Sequence, residues 1–350
     1  MKGKKTGVLL VNLGTPDSTS TADVRAYLRE FLSDKRVIDI PAVARWLLLN
    51  LFILPFRPRK SAEAYKKIWM AEGSPLLVHT KNLTEKVAGL LSAKEERASV
   101  KYAMRYGRPS IQSALEEFDR EGVSRIVVFL LFPQYSTAAR GSASVEIFRA
   151  ASHFWNTPDL IILEEFYNHP GYIESFAKIA SAEMAGFEKK TGEKVDHVLF
   201  SYHGVPERQI RKSDTSGDCL TDGCCVSGGK SYCYRSQCFE TSRLLARSLG
   251  LKDNTWSNSF QSRLGRTVWI APYTDVVIKE LPAKGVKNLL IFSPAFACDC
   301  LETLEELDIR AREDFLAAGG KNFIFIPSLN GHPYWAEQVA GIISPYLMSH

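Results

Sequence analysis

Short apolar runs and longer amphipathic segments alternate along almost the whole chain. The runs fall at 7–12, 100–104, 125–132, 160–164, 197–201, 256–260, 288–292 and 323–327, each bounded by Gly, Pro or polar residues. Such alternation predicts parallel strands joined by crossover helices, an α/β fold. Two pairs of runs echo each other in the same order: GVLLVNLGTP (7–16) with HVLFSYHGVP (197–206), and GVSRIVVFLLFP (122–133) with GVKNLLIFSP (285–294). A repeat this long indicates two similar domains, since solenoid units are only about 20–50 residues. The expected organisation is one α/β domain at 1–170 and a similar one at 171–330, followed by a terminal helix at 331–350.

One segment breaks the pattern. ARWLLLNLFILPF (44–56) holds about ten strongly apolar residues after a basic position and before RPRK. It falls short of the roughly 20 residues that span a bilayer. It reads either as a buried helix or as an apolar lip, within 38–57, that touches a membrane surface or an apolar substrate.

Composition narrows the classes. With 350 residues, 45% hydrophobic and 24% charged, the chain has ample material for buried cores. The net charge of +5 is modest and the Lys and Arg residues are dispersed, so nucleic acid is not an expected partner. The start, MKGKK, leads into an apolar stretch too short for a secretory signal and without a small-residue cleavage site, which predicts a cytoplasmic protein.

Open α/β sheets bind ligands beyond the carboxyl ends of their strands. The residues to inspect are therefore 12–17, 105–108, 134–137, 202–208 and 297–302. No GxGxxG, GxSxG or HExxH motif occurs. SGGKS (227–231) imitates the end of a phosphate loop, but Cys224 stands where its first Gly belongs and no strand leads into it. His203 lies directly after an apolar run and before Gly204, where an imidazole can titrate near neutrality or bind a metal. ACDCLETLEELDIR (297–310) begins beyond the 288–292 run. α-Helical spacing puts Glu302, Glu306 and Arg310 on one face. A base and a carboxylate row at one sheet edge can take up protons and pass a divalent cation.

At these residues the sequence resembles the ferrochelatase family, from GVLLVNLGTPDS through FLSDKRVIDIP, EGSPL, MRYGRPS, FPQYSTAARGS, SYHGVP, FQSRLGRTVWIAPYTD and FACDCLETLEELDI to SLNGHP. The resemblance implies two Rossmann-like domains around a porphyrin cleft, and insertion of ferrous iron into protoporphyrin IX to form protohaem. It implies His203 and Glu302 as catalytic residues, with Glu306 continuing an acidic row, so that His203, Glu302 and Glu306 would meet the metal. By the same likeness Arg105, Tyr106, Trp269 and Phe296 line the porphyrin pocket. Lys67 falls where some relatives place an arginine near a propionate, and Ile38 where some place a methionine against the macrocycle. Cys300 stands where a common pattern has a histidine, so no role of that histidine carries over. A chelatase for coproporphyrin or another metal is the alternative within enzymes. An iron–sulfur sensor or electron carrier on the same scaffold is the alternative outside them. The sequence leaves the oligomeric state open.

Five of the seven cysteines lie within 218–238, spaced C-x4-C-C-x7-C-x4-C. In a reducing compartment this clustering points to metal or redox chemistry before disulfides. Paired C-x2-C elements of a structural zinc site are absent. Four thiolates suit a 2Fe-2S cluster, which some family members carry, with ligands in different places. The expected ligands are Cys219, Cys224, Cys225 and Cys233, in an insertion spanning 214–238. Cys238 is the spare, placed at the start of the next helix; zinc and unliganded or redox-active thiols remain open. Cys298 and Cys300 flank Asp299 near the site, where they would meet the iron substrate or lie buried and inert.

Overall fold

The computed structural model describes residues 5–93, 98–221, 223–226, 228–265 and 267–347. The reading of the chain's start, and that of Ser227 in SGGKS, fall largely outside these residues. Two compact units emerge. The first takes described residues within 1–132, 136–165 and 330–350, the second those within 133–135 and 166–329.

The first unit holds β1 (Thr6–Gly14), β2 (Ala98–Tyr106), β3 (Arg125–Leu130) and β4 (Asp159–Ile162) in the order β2-β1-β3-β4. The second holds β5 (His197–His203), β6 (Trp256–Gln261), β7 (Asn288–Phe292) and β8 (Asn322–Phe325) in the order β6-β5-β7-β8. Every pairing in both sheets is parallel. The two orders are the same topology, and the echoing sequences form the same strands in each: β1 and β5 at the centre, β3 and β7 beside them. Continuous apolar runs suit this role, because a parallel sheet covered by helices buries both faces of its central strands. Val8, Leu9, Leu10 and Val11 are all fully buried.

The first core gathers Leu9, Val11 and Val128 against Phe118 and Ile147 of the helices Ile111–Arg120 and Ser142–Ala151. The second gathers Leu199, Leu289 and Ile291 against Ile278, Leu307, Ala311 and Phe315. Two matching glycines close the strand ends. A Cβ on Gly14 (φ +118°) would lie 1.8 Å from the Tyr106 carbonyl oxygen, and one on Gly204 would lie 2.9 Å from that of Gln261. Only glycine lets the chain leave β1 and β5 so close to the neighbouring strand.

Two sequence expectations change. The 297–310 segment is not one α-helix: a single turn, Leu301–Thr303, gives way to a π-helical stretch, Leu304–Ala311, before the helix Arg312–Ala317. The wider turn pairs residues five apart, so Arg310 Nε donates to Glu305 Oε2 at 2.8 Å while its Nη2 also reaches Glu306 Oε1 at 3.2 Å. The simple α-helical row of Glu302, Glu306 and Arg310 is thereby replaced by a fork in which Arg310 holds two consecutive glutamates. The helix after the cysteine loop runs Tyr234–Ser248, so Cys238 lies in its second turn, fully buried, rather than at its start.

Candidate active site

In the second unit the carboxyl edge of the sheet brings together the ends of β5 and β6 and the turn before the π-helical stretch. His203 ends β5. Its Nδ1 lies 2.5 Å from the Gly204 carbonyl oxygen, which can only accept, so Nδ1 carries the proton and Nε2 is left as the basic nitrogen. The peptide joining His203 to Gly204 is pinned on both sides. Its N–H donates to Gln261 O at 2.8 Å, and its carbonyl accepts from the Tyr234 hydroxyl at 2.8 Å. Trp269 and Phe296 flank the ring, each with its centroid 6.3 Å away. Trp269 is fixed by an indole N–H donated to Leu264 O at 3.0 Å and by a bridge to Pro206.

Glu302 and Glu306 face the same region. The Gln261 side chain donates to the Glu302 carbonyl at 2.7 Å and accepts from Ser201 at 2.7 Å, tying the turn to the end of the sheet. Ser262, held at φ +65° in the left-handed region, donates its hydroxyl to Glu306. A non-glycine residue in that conformation is strained, and such strain tends to persist where side-chain direction matters. Burial raises the Glu306 carboxyl above its ordinary value, and the Glu302 charge adds to the rise. Ser262, Arg310 and the charge of His203 oppose it. The electrostatic influence of His203 and Glu302 on Glu306 places the three groups in one field.

Cys298 and Cys300 are both buried, and burial pushes the Cys300 thiol well above its ordinary value. Cys300 caps the short turn Leu301–Thr303, and Asp299 accepts from Thr303 at 2.9 Å and from the Ser328 N–H at 3.1 Å. These contacts fix the turn that carries Glu302, and both thiols are buried within it.

The remaining expected residues lie in the first unit. Arg105 Nη2 and the Tyr106 hydroxyl both donate to Asp34 Oδ2 at 2.9 Å, and Arg105 Nε donates to Ser142 at 2.7 Å while stacking over the Tyr106 ring. Tyr106 is 1% exposed, so it braces Asp34 and Arg105 from within the fold. Burial would raise the Asp34 carboxyl, but hydrogen bonds from Ser142, the Arg36 N–H and Tyr106, with the Arg105 charge, hold it below its ordinary value. Ile38 is half-buried, with its carbonyl accepting from Arg45 at 3.2 Å, and Lys67 stands exposed in the last turn of the helix Arg57–Ile68. Near Ile38, the apolar segment folds as the helix Ala42–Leu47 and the π-helical stretch Leu48–Ile53. Leu49 and Leu54 are buried, but Trp46, Phe52 and Phe56 are 61%, 65% and 74% exposed, so a buried helix is ruled out for this face.

In the cysteine loop Cys219 and Cys233 stand with their sulfurs 3.7 Å apart, and Cys224 and Cys225 with theirs 3.6 Å apart. Arg235 donates to Cys225 at 3.3 Å and to Cys224 at 3.6 Å. The Cys233 thiol is lowered to about 6, because Cys225 and Cys219 both hydrogen-bond to it. Cys219 is pushed up to about 12 by burial and by Cys233, and Cys225 is raised as it bonds to Cys233. Cys233 is thus the thiol of the loop whose ionisation its neighbours favour. Among the described residues, no three or more His, Cys, Asp or Glu side chains form a closed metal cage.

Gln261, Ser262, Tyr234, Asp34 and Arg310's fork on Glu305 had no place in the sequence reading. Gln261 and Ser262 directly follow an apolar run, so the rule that singled out 202–208 would have found them had it been applied after 256–260. Asp34 and Tyr234 carry no comparable signal.

Two parallel sheets of one repeated topology, with an imidazole and paired carboxylates at the edge of the second, define a chelatase-type fold. Among solved structures, SirB from Bacillus subtilis with Fe3+ superposes with a TM-score of 0.51 at 12% identity, covering 97% of this chain and 94% of that one. DR2241 from Deinococcus radiodurans does so with a TM-score of 0.52 at 11% identity, over 97% of this chain and 55% of that one. The family model for ferrochelatase matches residues 5–347. The chain is 46% identical over 339 residues to the ferrochelatase of Coxiella burnetii strain CbuK_Q154, covering 96% of this chain and 92% of that protein. It is 45% identical over 338 residues to that of Legionella pneumophila strain Lens, covering 97% and 98%. The chain belongs to the ferrochelatase family, lyase-class metal chelatases that insert iron into porphyrin to make haem. Among the described residues no helix is long and apolar enough to cross a membrane.

Proposed function

We propose that this chain inserts ferrous iron into protoporphyrin IX at the His203 edge of its second sheet. His203 is the acceptor of the pyrrole protons, and Glu302 and Glu306 are the carboxylates that carry protons or the incoming cation. What supports this most is the combination of a basic Nε2, set by the Nδ1 hydrogen bond to Gly204, with a carboxylate pair whose second member burial raises above its ordinary value. Metallation must remove two pyrrole protons and expose nitrogen lone pairs lying in a flat ring. A neutral imidazole can take the first proton, and a pair of interacting carboxylates can hold one between them and pass it outward. Trp269 and Phe296 would serve as stiff walls beside the base, favouring a bent ring over a flat one. In the first unit Arg105, braced with the buried Tyr106 on Asp34, together with Ile38 and Lys67, is proposed to recognise porphyrin substituents. The direct test is anaerobic metallation with paired substrates. Haem should form faster from protoporphyrin IX and Fe(II) than product forms from coproporphyrin or from cobalt. A clear preference for either of these would reassign the substrate.

The cysteine loop is proposed to hold a 2Fe-2S cluster on Cys219, Cys224, Cys225 and Cys233. Two thiolates on one tetrahedral metal at about 2.3 Å stand about 3.8 Å apart, and both sulfur pairs lie close to that separation. Arg235 supplies positive charge against the added thiolate charge. A cluster there would supply one-electron redox chemistry. The exposed Trp46, Phe52 and Phe56, followed by Arg57, Arg59 and Lys60, support peripheral contact with a membrane surface from a cytoplasmic location.

A further inference from the structure

We infer that Tyr234 is a positioning residue for His203, fixing the direction of its basic nitrogen through the peptide that joins His203 to Gly204. The inference rests on the assignment of His203 as the base, and it adds a residue that the assignment does not contain.

That peptide has two polar groups, each with a partner from a different element. Gly204 N–H reaches Gln261 O on the neighbouring strand at 2.8 Å, and the His203 carbonyl receives the Tyr234 hydroxyl at 2.8 Å. The ring is in turn steered by the next carbonyl, because Nδ1–H points at Gly204 O. Rotation of the 203–204 peptide plane would displace Gly204 and its oxygen with it. Gly204 has no side chain to resist such a rotation, and a Cβ there is excluded by Gln261 O at 2.9 Å and by Trp269 at 3.2 Å. The restraint must come from the hydrogen bonds at its two ends. Only one of these is made by a side chain.

Tyr234 is itself well placed to act as a fixed post. It is buried, begins the helix Tyr234–Ser248 and follows Cys233, the residue that caps that helix. The fully buried Cys238 lies one turn further along the same helix, in the electrostatic field of the phenol. This gives Cys238 a place in the packed interior of that helix, apart from the other four thiols of the loop. Burial keeps the phenol protonated far above its ordinary range, so it remains a donor at every working pH. The same helix start carries Cys233 of the proposed cluster, so the cysteine loop and the base share one anchor.

The test uses the full chain as isolated, comparing wild type with Tyr234→Phe, which removes only the hydroxyl. His203–Gly204 is the only His-Gly pair in the sequence. Labelling histidine carbonyls with 13C and glycine nitrogens with 15N therefore reports that one peptide by NMR. The expected result is an upfield shift of the His203 carbonyl in Tyr234→Phe, a fall in kcat of about tenfold, as for loss of one hydrogen bond, and a porphyrin KM within about twofold of wild type. An unmoved carbonyl signal, or an unchanged kcat, would overturn the inference. A His203→Ala arm assayed in parallel separates the two ideas: normal iron insertion there sinks the assignment of the base, while the carbonyl shift still decides whether Tyr234 holds the peptide. If Tyr234→Phe does not fold, 3-fluorotyrosine placed at 234 keeps the hydroxyl and makes it a stronger donor. The same carbonyl must then move downfield with kcat retained, and a stationary signal counts against Tyr234.

Discussion

At the scale of single residues, the site is a set of constraints on where protons can sit. His203 keeps its proton on Nδ1 because that nitrogen hydrogen-bonds to the Gly204 carbonyl oxygen, which can only accept. Glu306 binds its proton more tightly when folded than the unfolded chain does at the ordinary value of 4.5. The folded state then holds the extra proton between 4.5 and the raised value, so stability falls as pH rises through that window. Glu306→Gln removes this dependence. Its Tm relative to wild type should climb as pH increases across the window, read by thermal unfolding at a series of pH values, whereas a constant difference would mean that Glu306 titrates normally. Among the thiols the prediction concerns identity. Cys233→Ser should abolish any visible absorbance of the as-isolated protein, and Cys238→Ser should retain it, because Cys238 points into the Tyr234 and Tyr202 region. Equal loss in both would place Cys238 in the ligand set.

At the scale of elements, the eight apolar runs all became strands, because a parallel sheet buried on both faces leaves an unbroken hydrophobic record. The helix bearing the carboxylates was legible as a helix but not in its pitch. The π-helical turn gives no local compositional signal, since the four-residue spacing of Leu307, Ala311 and Phe315, which pack in the second core, equally suits an α-helix. Phe315→Ala should destabilise the second unit by about 3–5 kcal/mol, measured by urea unfolding. The apolar segment near the start was legible as unusual, while the choice between core and surface needed the structure. Vesicle sedimentation checks the surface reading. Leu51→Glu with Phe52→Glu should release the protein from anionic vesicles, and undiminished binding would remove this face from any membrane role.

At the scale of the whole molecule, the repeat of sheet order is the clearest consequence of the sequence echoes, with Gly14 and Gly204 closing equivalent strand ends. The two units differ in what they place there: Leu13 after Asn12 in the first, His203 after Tyr202 in the second. The positions of His203 and Glu302 at the sheet edge were legible because the first ends an apolar run and the second sits in the turn that follows one. Asp34 and Tyr234 were not, since their partners lie far away in sequence: Arg105 and Tyr106 for the first, His203 for the second. The central claim is that the imidazole of His203 takes the protons displaced by iron. It is tested most directly by anaerobic haem formation from protoporphyrin IX and Fe(II), comparing wild type with a folded His203→Ala. The account predicts a loss of about 10²–10⁴ in kcat, the span of general base catalysis; haem formed by the variant at the wild-type rate would contradict it.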